Sequence, residues 1–316
     1  MNIKKIGLTA LAGSLVATSA FAGAMSVSGG ASINVEHING GAANAGKAWS
    51  MGNQLTFSGS GELDNGLNVS LSFVLDQGDD EMPEDNSPFD SHSVTISSDA
   101  LGSLKFSGEG GSSATSALDT TAAGDIWDAY DIASTVHPTG IGGGSNSMYY
   151  TLPALMDGLS ISASYAPTGS GAAGTEAASG MSATYTGVDG LSVSYGTGDG
   201  STANTSAEAL KASYAYGPIT VAYSNYEYDA DGTSSDDDTT SYKVSYTVSD
   251  EISISYGTET VERAALEDVE TSRISASYTA GGMTISATMD EIENMDGTTT
   301  ATQDRERWAL GASFAF

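Results

Sequence analysis

Leu67, Val69, Leu71, Phe73 and Leu75 alternate with Asn68, Ser70 and Ser72, and the same period of two returns through most of the chain. Leu159, Ile161, Ala163 and Tyr165 oppose Ser160, Ser162 and Ser164, and Ile252, Ile254 and Tyr256 oppose Ser253 and Ser255. In the last segment Trp308, Leu310, Ala312, Phe314 and Phe316 share one face, with Arg307, Ala309, Gly311, Ser313 and Ala315 on the other. Successive side chains of a strand point to opposite faces, so these segments read as strands with one apolar face and one rich in Ser and Thr. A water-soluble sandwich alternates in the same way. The pattern by itself establishes strands and no more.

The connections say more. Seven are short: Asp64-Asn65-Gly66, Asp99-Ala100-Leu101-Gly102, Met156-Asp157-Gly158, Val188-Asp189-Gly190, Gly217-Pro218, Ser249-Asp250 and Ala280-Gly281-Gly282. They alternate with eight longer polar segments, roughly 37–52, 77–91, 110–145, 167–179, 197–207, 229–239, 260–269 and 291–304, and fifteen connections join sixteen strands. An even strand number with short turns on one rim and long loops on the other is the pattern of an outer-membrane barrel. Strands of about nine to eleven residues span a bilayer when tilted. Tyr, Trp or Phe near the ends of the apolar stripes suits an interfacial girdle. The expected fold is all-β: a transmembrane antiparallel barrel of sixteen strands.

The N-terminus strengthens the membrane reading. Lys4 and Lys5 precede an apolar stretch from Ile6 to Ala17, and Ala20-Phe21-Ala22 fits a small-x-small cleavage site. Residues 1–22 are expected to be a removable secretory signal, with Gly23 the first mature residue and cleavage after Ala24 the alternative. Residues 23–316 then form a single domain. The absence of cysteine excludes disulfides and thiolate-ligated metals. With 10 Lys and Arg against 40 Asp and Glu, the formal charge is −30, which repels phosphate backbones and excludes nucleic acid as a partner. His37, His92 and His137 fall in or beside loops, none with a nucleophile motif, so no catalytic residues are assigned.

Three segments carry a family resemblance. Leu55-Thr56-Phe57-Ser58-Gly59-Ser60-Gly61-Glu62-Leu63-Asp64-Asn65-Gly66-Leu67, with Val69 to Phe73, resembles the second hairpin of Gram-negative general-diffusion porins of the alphaproteobacterial type. Leu101 to Gly108 resembles their strand leading into the third loop, and Ala309 to Phe316 their closing strand. Basic residues are scarcer here than in that family. The resemblance implies a water-filled channel for small hydrophilic solutes and ions, and a homotrimer joined through the early strands. It also implies a third loop folded into the barrel, and a terminal aromatic read by the barrel-assembly machinery, here Phe314 and Phe316. Outer-membrane lipid and lipopolysaccharide are the expected surroundings. Outward Gly59, Gly61 and Gly108 agree with close approach of a second protein wall.

With the third loop inside, Asp119, Asp125, Asp128 and Asp131 are candidates for the acidic side of a constriction. Parity directs Lys105, Lys211, Lys243, Arg273, Arg305 and Arg307 into the lumen as the opposing basic wall, because charge on the lipid face is penalised. The excess of acids predicts a cation preference that fades as salt screens it. No cofactor is required. Asp229, Asp231 and Asp236 beside Gly232 form a candidate weak Ca²⁺ site without the closing Glu of an EF-hand. A substrate-specific outer-membrane channel and a secreted β-rich adhesin remain as alternatives.

Overall fold

The computed structural model describes residues 25–40, 46–76, 89–130, 132, 141, 144–169, 171–172, 174–230, 232, 236–264, 266–299 and 303–316. The expected signal, residues 1–22, lies outside them. The strands are β1 (Met25–Asn39), β2 (Gly46–Glu62), β3 (Asn68–Asp76) and β4 (Phe89–Ser98). They continue as β5 (Gly102–Glu109), β6 (Ser147–Thr151), β7 (Leu159–Ala166) and β8 (Ala178–Tyr185). Next come β9 (Leu191–Asp199), β10 (Ser206–Tyr216), β11 (Ile219–Asp229) and β12 (Asp237–Thr247). The last are β13 (Ile252–Arg263), β14 (Val269–Ala280), β15 (Met283–Glu293) and β16 (Arg305–Ala315).

Each strand pairs antiparallel with its neighbours in sequence, and β1 pairs with β16, so the sheet is a closed barrel of sixteen strands. All seven short turns fall where the sequence places them. Strand lengths vary more than expected, from 5 residues in β6 to 17 in β2, and the first hairpin extends well into the segment read as a loop. The seam runs from Gly30 opposite Ala315 to Asn39 opposite Glu306. It continues through Phe316, whose N–H donates to the Gly29 carbonyl at 3.0 Å while the Gly29 N–H donates back at 2.7 Å. The Phe316 ring lies over Gly29, where a Cβ would come within 2.7 Å of it.

The apolar stripes face outward. Met289 is 68% exposed and Ile274 58%, whereas inward Ser241 is fully buried and Ser224 nearly so. Exposed large hydrophobics around a closed sheet are what hydrocarbon requires, because lipid satisfies no backbone group and closure leaves no edge. The inner wall carries hydroxyl ladders, with Ser253 and Ser277 at 2.8 Å and Ser255 and Ser275 at 2.7 Å.

Two turn glycines separate backbone strain from steric clash. Gly66 has φ +80° with open space around a Cβ, whereas at Gly102, φ +76°, a Cβ would run into the Thr151 carbonyl oxygen. Gly66→Ala is expected to cost about 1–2 kcal/mol, the left-handed penalty alone. Gly102→Ala should cost that plus a further ~1–3 kcal/mol of overpacking. Urea unfolding followed by tryptophan fluorescence measures both, and equal losses would mean that the Gly102 turn relaxes freely.

Candidate functional site

Residues paired across successive strands of the barrel form circumferential rows. One inward row runs Ser194, Lys211, Ser224, Ser241, Glu259 and Thr271 across β9 to β14. Residues 120–127 of the third long loop are laid along it. Lys211 Nζ donates to the Thr120 carbonyl at 2.5 Å. The Ala122 N–H donates to Ser224 Oγ at 2.8 Å and the Ala123 N–H to Ser241 Oγ at 3.0 Å. The N–H groups of Ile126 and Trp127 donate to Glu259 Oε2 at 2.6 and 3.3 Å, and the Thr121 hydroxyl donates to Oε1 of the same carboxylate. Irregular backbone inside a barrel still needs its donors satisfied, and here the wall side chains do it.

Other described residues of the loop make further contacts with the wall. Near its start the Ala114 N–H donates to Ser164 Oγ at 2.8 Å. Further on, the Ile141 N–H donates to Tyr226 Oη at 3.2 Å. Wall glycines make the room, since a Cβ on Gly257 would lie 2.7 Å from that of Ala123 and one on Gly198 2.8 Å from Thr115 Oγ1. Nearer the loop rim Ile126, Trp127, Tyr130 and Ile132 pack on Val261, Val269, Ile292 and Met295. Those wall residues break the Ser/Thr pattern of the inner face because the loop covers them.

The charged groups separate into paired and free. Arg273 holds Asp290 with two bonds, Nε to Oδ1 at 2.7 Å and Nη2 to Oδ2 at 3.0 Å. Arg307 reaches Asp290 Oδ2 at 2.6 Å and, across the seam, Glu36 Oε2 at 2.6 Å. Arg263 pairs with Asp237 at 3.2 Å, and Arg305 is buried. Lys211, expected opposite the loop acids, instead lies beneath the loop on their own side. Lys243, half-buried one inward step from Ser241, and Lys105, exposed, have no ion-pair partner among the described residues. Lys105 belongs to the row Ser60, Ser70, Thr95, Lys105, Tyr149 and Ser164, and Ser164 is the residue that catches the start of the loop. It therefore stands at the height of the loop's entry, on an arc of neutral side chains.

Among the loop acids, Asp125 has φ +48° and its Oδ1 accepts the Thr121 N–H at 2.9 Å, while Asp128 is exposed. Burial, and then Asp125 beside it, raise the Asp119 carboxyl above its ordinary value, against the opposing pull of the Thr120 backbone and Lys211. Burial, and then Asp290, push the Tyr130 hydroxyl up. Asp131 lies outside the described residues, as does Asp231 of the candidate Ca²⁺ site. Asp229 and Asp236 line a hollow of about 390 Å³ at the mouth, and Asp236 Oδ1 accepts the Ala230 N–H at 2.9 Å. Among the described residues no three acidic or histidine side chains are grouped to hold a metal.

Glu259, Asp290 and Glu36 are the functional acids that sequence reasoning missed. Inward parity was visible for each, but parity does not say which residue lies opposite.

Residues 7–271 match the model of a family described as Gram-negative porin. No curated protein matches the chain in sequence. The anion-selective porin from Comamonas acidovorans superposes with a TM-score of 0.73 at 15% identity, over 93% of this chain and 99% of that one. Variants of the Rh. blastica porin superpose with a TM-score of 0.69 at 14 to 15% identity, over 93% of this chain and 100% of theirs.

The cation preference expected from the net charge is overturned by the first of these, an anion-selective porin on the same fold. The physical reason is that total charge does not set selectivity; the free groups at the narrow section do. Glu259, Asp290, Glu36 and Asp237 are engaged by the loop or by arginines, and outward acids such as Glu227 and Glu262 face away from the lumen.

Glu259→Ala removes the acceptor of two backbone donors and should weaken loop docking by roughly 2–4 kcal/mol. Cleavage by an added protease between residues 120 and 130, with the barrel itself intact on gels, is the expected result. Resistance equal to that of the parent chain would show that the apolar contacts hold the loop alone.

Proposed function

The chain belongs to the Gram-negative porin family, and on that premise we propose that it forms a water-filled channel for passive diffusion of small hydrophilic solutes across the outer membrane. One observation carries the reading: a loop pinned along a hydroxyl and carboxylate row narrows a polar lumen and leaves the arc of β2 to β4 uncovered. That arc presents Ser58, Ser72 and Ser93 in register. Such a wall exchanges hydrogen bonds with passing water and solute and holds neither tightly. Tyr226 lies buried under the loop, so it offers no aromatic track of the kind a substrate-specific channel uses.

The same geometry supports the following site roles. Asp119, Asp125 and Asp128 border the opening from the loop, and Lys105 faces it from the wall. Arg273 and Arg307 act with Asp290 and Glu36 as a neutral clamp across the seam. A homotrimer through the outer faces of β1 to β5 is supported by the small outward positions Gly59 and Gly61, which lie beside the stacked rings of Phe57 and Phe73, centroids 4.8 Å apart. Residues 1–22 act as the export signal, so the mature chain begins at Gly23.

Folded protein in a planar bilayer is expected to give stepwise openings, and loaded vesicles should swell in small sugars. Lys105→Glu should move the reversal potential in a salt gradient toward cations, most at ~10 mM salt and little at ~1 M, where the screening length is about 3 Å. Folded protein that gives no openings would overturn the channel reading. A reversal potential unmoved at low salt would remove Lys105 from the opening.

A further inference from the structure

Between β5 and β6 the third long loop carries Asp119, Asp125, Asp128 and Asp131 and no Lys or Arg, so its fixed charge is all negative. One base is set beneath it. Lys211 projects inward from β10, half-buried, and its ammonium donates to the Thr120 carbonyl at 2.5 Å. Thr120 follows Asp119, and the Asp125 carboxylate turns back onto the Thr121 N–H at 2.9 Å, so the ammonium is delivered beside both acids. Asp125 and then Asp119 are the charges that act on it. Among the described residues neither makes a direct ion pair with it.

The loop's seat is crowded with negative charge. Asp119 and Asp125 repel each other, and Asp125 also repels Glu259. Glu259 stands three strands from Lys211 in the same inward row, about 14 Å away at the spacing of paired strands. The N–H groups of Ile126 and Trp127 satisfy its oxygens and leave its charge in place. In the row from Ser194 to Thr271 that carries this stretch of loop, Lys211 is the one cation, set against three carboxylates. A neutral donor would satisfy the Thr120 carbonyl, much as the hydroxyls of Ser224 and Ser241 satisfy the neighbouring N–H groups. An ammonium supplies a charge that the backbone bond does not require.

We propose that Lys211 sets the charge selectivity of the opening from beneath the loop, by cancelling part of the field that Asp119 and Asp125 direct at passing ions. Its bond to Thr120 holds the ammonium in place, and partial burial keeps the three charges coupled where exposed charges would be screened. Two acids with this base present a single negative charge to the lumen, where the acids alone present two. The loop can thus narrow the channel without making it a barrier to anions. This role for Lys211 rests on the channel reading, so its test includes one measurement that conduction does not enter.

The first measurement is the reversal potential of folded protein in a planar bilayer, under a salt gradient near ~10 mM, where screening is weak. Lys211→Met should raise the cation-to-anion permeability ratio about threefold, the effect of one charge ~7 Å away in water. Lys211→Gln must give the same shift, which covers a methionine variant that fails to fold. Lys211→Arg should keep the parent ratio. Lys211→Met with Asp119→Asn restores the charge balance but not the bond to Thr120, and should return the ratio to near the parent value. The second measurement places Thr120→Cys, an exposed position in a chain without cysteine, in each background. Its relative rates with cationic and anionic methanethiosulfonates should follow the same order. A double variant that keeps the full shift, or conducting Lys211→Met and Lys211→Gln with both ratios unmoved, would overturn the proposal and leave Lys211 as a mechanical pin. Folded protein that does not conduct would overturn the channel reading, and the thiol rates would still separate a masked loop charge from an unmasked one.

Discussion

A backbone amide in hydrocarbon has no water to turn to, and that constraint organises this molecule from the seam inward. It forces β1 onto β16, down to the reciprocal bonds between Gly29 and Phe316. Closure then divides every strand into a lipid face and a wet face, which is why Leu71 and Ser72 can be neighbours without conflict. The same requirement follows the chain into the lumen. Residues 120 to 127 make few hydrogen bonds with their own backbone, so their donors fall to Ser224, Ser241 and Glu259. Paired strands put those three acceptors in one row, and the loop lies where the row runs.

Charge is placed with equal economy. In the described barrel the arginines face inward, Arg263 pairs with Asp237, and Asp290 is shared between Arg273 and Arg307. Breaking a buried pair of this kind costs roughly 3–5 kcal/mol, so these side chains stabilise the seam and have little freedom to attract solutes. The carboxylates of the outer rim are turned to the membrane surface. A chain with a formal charge of −30 can thus present a nearly neutral arc to its solutes.

The alternation of Leu159 to Tyr165 and the short turns at Gly66 and Gly190 made the strands, their number and their inward faces legible in the sequence. Register was not legible. Glu259 reads as one more polar position until Ser241 and Thr271 are known to flank it. Lys211 has the right parity for a pore wall, yet pairing with Ser224 puts it under the loop. The link from Arg307 to Glu36 joins residues 271 positions apart, and only the shear of the closed barrel brings them together. Loop boundaries suffered in the same way, because β1 and β2 continue as a paired hairpin through residues whose polarity suggests an open loop.

The central claim is that the third loop rests on β9 to β14 while the channel conducts. The chain has no cysteine, so a single pair can be introduced cleanly, and Ala123→Cys with Ser241→Cys sets two sulfurs where the loop meets β12, at the 3.0 Å contact of the Ala123 N–H with Ser241 Oγ. The measurement is single-channel conductance before and after oxidation of this double variant. Rapid cross-linking with unchanged conductance is the predicted result. Folded barrels that do not cross-link, or that change conductance when they do, would contradict the account.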